Sequence, residues 1–190
     1  MTVPQKVLDS VYGSKPEHWH QHSNGKGWIY ETAKVEASAY LHPTSIVYGN
    51  AWVYGNAWVS GNAWVSGNAR VSGDARVSGD AQVYGDARVY GNAWDVSPLY
   101  IQGTRHALTL SSLNHVSVGC HTYTIAMWLK KGRAIGKAEG YTKEQIAEYG
   151  EYMALAKSWN ARMNAAGLIK PIKPAAEPLA RDRKEVMPQS

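Results

Sequence analysis

Trp52, Trp58, Arg70, Arg76, Arg88 and Trp94 all stand at multiples of six residues from one another. Tyr54 and Tyr90 follow two places behind Trp52 and Arg88. Flat aromatic faces stack on planar rings, at about 1–3 kcal/mol per base, and a guanidinium makes bidentate contacts to phosphate. Interleaved, the two residue types suit a nucleotide or another anionic aromatic ligand. Arg105 and His106, in the turn-like run Gly103-Thr104-Arg105-His106, add a second place to meet a phosphate. These ten residues are the candidate ligand contacts. The same alternation has a purely structural use, because a run such as Trp58, Arg76, Trp94 is a cation–π stack worth about 0.5–2 kcal/mol without any ligand.

Other reactive side chains assemble less well. His18, His20 and His22 alternate, but Glu17 is their only acidic neighbour and no Cys is near, so they read as a surface loop rather than a metal site. Cys120 and His121 are adjacent, and neighbours on a strand face opposite sides, so Cys120 reads as a buried structural thiol. His42, just before Pro43, reads as the start of a structural turn rather than a base. No catalytic residue, metal ligand or cofactor is assigned.

The spacing of the candidates comes from an internal repeat. Ala recurs at 51, 57, 63, 69, 75, 81, 87 and 93, with Val two places later until 89. Gly-Asn or Gly-Asp fills the remaining slot from Gly49-Asn50 to Gly91-Asn92. Weaker units extend the register back to Ile29, giving eleven hexads over 29–94. A helix would not keep Val on one face at this spacing, and Gly at every sixth position would weaken it by about 1 kcal/mol each. A hairpin array would want Asn-Gly turns rather than Gly-Asn. A solenoid satisfies both constraints: four-residue strands turn Ala and Val inward, and Gly with Asn or Asp takes each corner.

This pattern, aliphatic-x-x-x-small-x with Val and Ala in the two slots, resembles the hexapeptide repeat of left-handed parallel β-helices. The resemblance implies a mainly β chain with three hexads per 18-residue coil, and by analogy a homotrimer. Acyltransferases with this repeat use a groove His as general base, yet Pro43 to Trp94 contains no His and no inserted substrate loop. Carbonic anhydrases of this fold need three His around zinc, which the tract does not supply.

Stacking every 18 residues places Trp52, Arg70 and Arg88 in one outward column, beside Tyr54, Ser72 and Tyr90. A second face carries Tyr40, Trp58, Arg76 and Trp94. The third carries Trp28, Ile46, Trp64 and Gln82 beside Tyr30, Tyr48, Ser66 and Tyr84. With no charge and many apolar groups, the third face is expected to be buried in the trimer. The ligand is expected in grooves between neighbouring subunits.

The flanks complete the organisation. Residues 1–28 are expected to cap the first coil, 29–95 to form the β-helix, and 96–169 to form short strands and two helices. The first helix is expected near 124–137. The second is announced by the capping box of Thr142 and Gln145 and runs to about Met163. The Pro-rich, charged segment 170–190 is expected to be a disordered tail. Twenty Lys and Arg against fifteen Asp and Glu give a charge of +5, without a basic block dense enough for duplex DNA. A single Cys and the absence of any long apolar run point to a cytoplasmic protein.

Tandem hexads with a short helical appendage, and the segment Gly119-Cys120-His121 to Tyr123-Thr124-Ile125, also resemble proteins encoded in phages and prophages. That resemblance implies a non-catalytic protein that sequesters a nucleotide signal of host defence in the host cytoplasm. The alternatives are a hexapeptide-repeat acyltransferase with His106 or His121 as base, and a structural solenoid or interaction scaffold.

Overall fold

The computed structural model describes residues 2–171. Its core is a parallel β-solenoid of about four turns with three faces. The first face consists of Lys34–Val35, Trp52–Val53, Arg70–Ser72 and Arg88–Tyr90. The second runs through Tyr40–Leu41, Trp58–Val59 and Arg76–Val77 to Asn92–Trp94. The third holds Trp28–Tyr30, Ile46–Val47, Trp64–Val65 and Gln82–Val83. The registers Trp52↔Arg70, Arg70↔Arg88 and Tyr40↔Trp58 are those that an 18-residue coil demands. Ala51 to Val89 supply a continuous interior in which every repeat Ala and Val is buried.

The corners explain the glycines. Gly49, Gly67 and Gly85 all adopt positive φ, where a Cβ is penalised. They also stack so closely that a Cβ on Gly67 would lie 2.8 Å from the Gly85 nitrogen. Beside them the corner amides form ladders: Asn68 donates to the Asp86 carboxylate at 3.0 Å, and Asn62 to Asp80 at 3.1 Å. The first coil lacks Gly-Asn corners. There Ser38 donates its hydroxyl to the Gly55 carbonyl at 2.6 Å, and Thr32 and Thr44 do the same to Gly49 and Gly61.

Each end of the solenoid is closed by its own chain. At the first coil, Leu41 donates its amide to Asn24, and buried His22 contacts the carbonyls of Asn24 and Glu36. The N-terminal segment also does something unexpected. Val3, Val7 and Trp19 pack with Trp28 and Ile46 into a second apolar cluster on the third face. That face is therefore covered in large part by residues 3–19 of the same chain, which removes the reason for burying it in a trimer.

The last coil breaks register. Arg76 pairs with Ala93 and Val77 with Trp94, one residue short of the 18-residue spacing. A one-residue slip turns every side chain to the opposite face, so Trp94 lies inward and fully buried. The expected Trp58–Arg76–Trp94 stack does not form. With no further coil below, the large ring covers the exposed end of the narrow Val/Ala core. Asn92 holds the slipped strand, accepting from the Leu113 amide at 2.7 Å and donating to the Lys170 carbonyl at 3.1 Å. Among the described residues Trp94 Nε1 has no hydrogen-bond partner, which costs about 1–3 kcal/mol against the burial of its ring.

Beneath Trp94, Tyr100–Gln102, Ala107–Ser112, His115–Val118 and His121–Thr124 form an antiparallel sheet. Leu108, Leu110 and Val116 extend the solenoid core into it. Two helices, Ile125–Ala138 and Lys143–Ala165, follow, capped by Thr124 and by the expected Thr142–Gln145 box. Ile169–Pro171 pairs antiparallel with Asn92–Trp94, so the chain is ordered beyond the start of the expected tail. Residues 172–190 lie outside the described residues.

The corner geometry makes a graded prediction. Gly67→Ala meets both a positive φ and the Gly85 backbone, whereas Gly73→Ala has open space and meets only the φ penalty. Urea unfolding should show a loss of about 1 kcal/mol for Gly73→Ala and distinctly more for Gly67→Ala.

Candidate functional site

The first face does not end at the solenoid surface. Where it meets the turn between Tyr100–Gln102 and Ala107–Ser112, the two enclose a groove of about 690 Å³. Its solenoid wall carries Lys34, Trp52, Arg70 and Arg88, with Asn50, Asn68 and Asp86 along the adjoining corner. The opposite wall carries Gln102, Arg105 and His106, with Thr109 and Ser117. Five of the ten expected contacts thus line one cavity: Trp52, Arg70, Arg88, Arg105 and His106. Both walls belong to the same chain, so this groove differs from the expected grooves between subunits.

The other five are placed elsewhere. Tyr54 lies against Trp52, ring centroids 4.7 Å apart, and Tyr90 accepts a hydrogen bond from Ser111. Trp58 and Arg76 belong to the second face, where Trp58 stacks on Tyr40 at 3.8 Å and remains 44 % exposed. Trp94 is in the core. Lys34, missed as a contact, sits directly opposite Trp52. Its position 18 residues before Trp52 was already a usable signal, because the hexad register runs back past it.

Electrostatics distinguish the groove. Lys34, Arg70, Arg88 and Arg105 surround it, against the one carboxylate of Asp86, which already accepts from Asn68. Among the described residues the ion pairs are His121–Glu139 and Lys170–Asp95, so none of the four groove cations is paired to a carboxylate. Arg70 and Arg88 sit directly opposite on adjacent strands, and like charges so placed destabilise by roughly 0.2–1 kcal/mol. The Arg70 guanidinium leans over Trp52, 5.9 Å from the ring. An anion between the two arginines would relieve their repulsion.

The turn opposite is held rigidly by the long helix. Glu148 accepts from the Thr104 amide at 2.9 Å and from its hydroxyl at 2.5 Å. Tyr149 receives the His106 amide at 2.6 Å and donates to the His106 carbonyl at 2.5 Å. Arg105 donates to the Gly140 carbonyl at 2.7 Å while its guanidinium lies 4.7 Å from the Tyr141 ring. Gly103 is required here, since a Cβ would come within 2.5 Å of the Tyr149 hydroxyl. Sequence spacing could not reveal this clamp, because its partners are separated by 35 positions or more.

Two ionisations follow from the clamp. Burial, with Tyr149 beside it, pushes Tyr141 up to about 12, so its phenol stays neutral beneath Arg105. The hydrogen bonds from the Thr104 side chain and backbone hold Glu148 below the ordinary glutamate value of 4.5.

His106 is the sole imidazole in the groove, and no hydrogen bond to its ring is formed among the described residues. Its ring packs over Gly119 instead. The histidines 18, 20 and 22 do not converge: His18 contacts Tyr30, His20 is exposed and His22 is buried under the first coil. Cys120 is exposed in the turn before His121, contrary to the buried thiol expected, because Gly119 at positive φ turns the chain outward there.

The repeat tract is similar to the YdcK beta solenoid repeat. That family model matches residues 47–61, 51–67, 63–79 and 81–95, the coils that carry Trp52, Arg70 and Arg88. Neither the curated proteins nor the solved structures searched contain a match. Among the described residues no helix is long and apolar enough to cross a membrane.

The clamp predicts a pH signature. Because the folded value of Glu148 is lowered, its contribution is complete above the unfolded value and lost as pH falls through the folded one. Wild type should be more stable than Glu148→Gln above pH 4.5, and the difference should close in more acidic solution. Thermal melts of the two proteins across the acid range measure this directly.

Proposed function

We propose that the first-face groove binds a small anionic ligand with a planar ring, of the nucleotide class, without transforming it. The observation that carries this reading is four cations without carboxylate partners among the described residues, around one groove beside the partly exposed ring of Trp52. Arg70 and Arg88 take one phosphate between adjacent strands, Arg105 reaches a second from the opposite wall, and Trp52 receives the ring. Sequestration of a nucleotide signal by a phage-encoded, cytoplasmic protein extends the same reading, and it rests on the resemblance of the repeat and its appendage. A homotrimer would now have to use the second face, where Trp58 and Arg76 stand exposed.

The test is a thermal-shift screen of mono-, di- and cyclic nucleotides, followed by mass spectrometry of what the denatured complex releases. An intact nucleotide that raises the melting temperature is the expected result. Arg70→Ala or Trp52→Ala should each weaken that binding by about tenfold or more while the protein stays folded. A converted ligand would establish an enzyme instead, and thiol release from acyl-CoA in a parallel assay would identify it as the transferase. Light scattering of the wild type and of Trp58→Asp tests the trimer, which should dissociate in the variant.

A further inference from the structure

A second cavity lies on the far side of the clamped turn. It occupies about 450 Å³ between the two C-terminal helices and the antiparallel sheet. Val118, Trp128, Ile135, Ile146 and Met153 make most of it apolar. Its size is that of a small-molecule site, and an apolar wall with a few convergent polar groups is the usual composition of one.

The glycines of the two helices indicate that the space is kept open. Gly132 and Gly150 both line the cavity from helix interiors, where glycine is about 1 kcal/mol less favourable than alanine. Packing does not require either. A Cβ on Gly150 would meet nothing within 4 Å, and one on Gly132 would make an ordinary contact with Trp128 at 3.5 Å. Gly136 is different, because a Cβ there would approach Ile146 at 3.1 Å, so the helix crossing accounts for it. Two helix-weakening residues that no neighbour demands therefore face one void.

The cavity's polar lining includes Arg133, without a carboxylate partner among the described residues, Glu151, and His121 held by Glu139 at 2.9 Å. We infer that this cavity is a second ligand site, for a compact amphiphile whose apolar body fills the space between the helices and whose carboxylate faces Arg133. The site is independent of the nucleotide reading, since its apolar wall shares only His106 with the charged groove.

Calorimetric titration of the full chain with decanoate, kept below its micellar concentration, tests the site, with decanol as the neutral control. Decanoate should bind saturably at one site per chain, and decanol about tenfold more weakly. Gly150→Leu should abolish binding while leaving the melting temperature unchanged or higher, because the side chain enters open space and favours the helix. Arg133→Ala should reduce decanoate affinity to that of decanol. Arg70→Ala should bind decanoate as wild type does, which separates this site from the groove. Absence of saturable binding, or decanoate binding unchanged in folded Gly150→Leu, would overturn the inference.

Discussion

The close approach of one corner glycine to the next governs this molecule. Gly49, Gly67 and Gly85 meet backbone to backbone, with no room for a Cβ between them. That contact lets each coil settle onto its neighbour at strand spacing and keeps the hexads in step. Everything on the outer faces inherits its position from this registration. Trp52, Arg70 and Arg88 form a column because their corners stack, and the repulsion within that column is a consequence of the same stacking.

So regular a stack has two exposed ends, and an Ala/Val interior is too narrow to bury large groups within a coil. The chain resolves each end with its own flank. Residues 22–27 bond across the first coil, while residues 3–19 cover the third face. At the other end a one-residue slip lays Trp94 over the core, and the antiparallel sheet continues it. The C-terminal closure has a further effect, since the turn carrying Arg105 and His106 projects beside the arginine column and makes a groove of an otherwise flat face.

Charge and rigidity are divided between the two walls. The solenoid contributes cations whose spacing is set by strand separation. The appendage contributes a turn whose backbone is fixed by Glu148 and Tyr149 and whose Arg105 is braced by the Gly140 carbonyl. On the other side of that turn, Gly132 and Gly150 stand in the helices where side chains would project into the cavity. One short turn thus separates a charged groove from a mainly apolar one.

The solenoid, its faces and its corners were legible in the residues alone, because a period of six with alternating burial admits few backbones. The two helices and the Thr142–Gln145 capping box followed from local signals as well, because Thr142 acts within three residues of itself. Trp94 was misplaced by the same periodicity, since the hexad spelling continues one unit after its physical cause, a coil below, has gone. The apolar third face looked like an interface because sequence shows that a surface is apolar without showing what covers it. Half of the candidate contacts proved to share a cavity, and that was decided by where the appendage docks. Contacts across forty or more positions, between Thr104 and Glu148 or Asn92 and Lys170, leave no periodic trace. Local repetition determined the scaffold; long-range packing at its broken end determined the site.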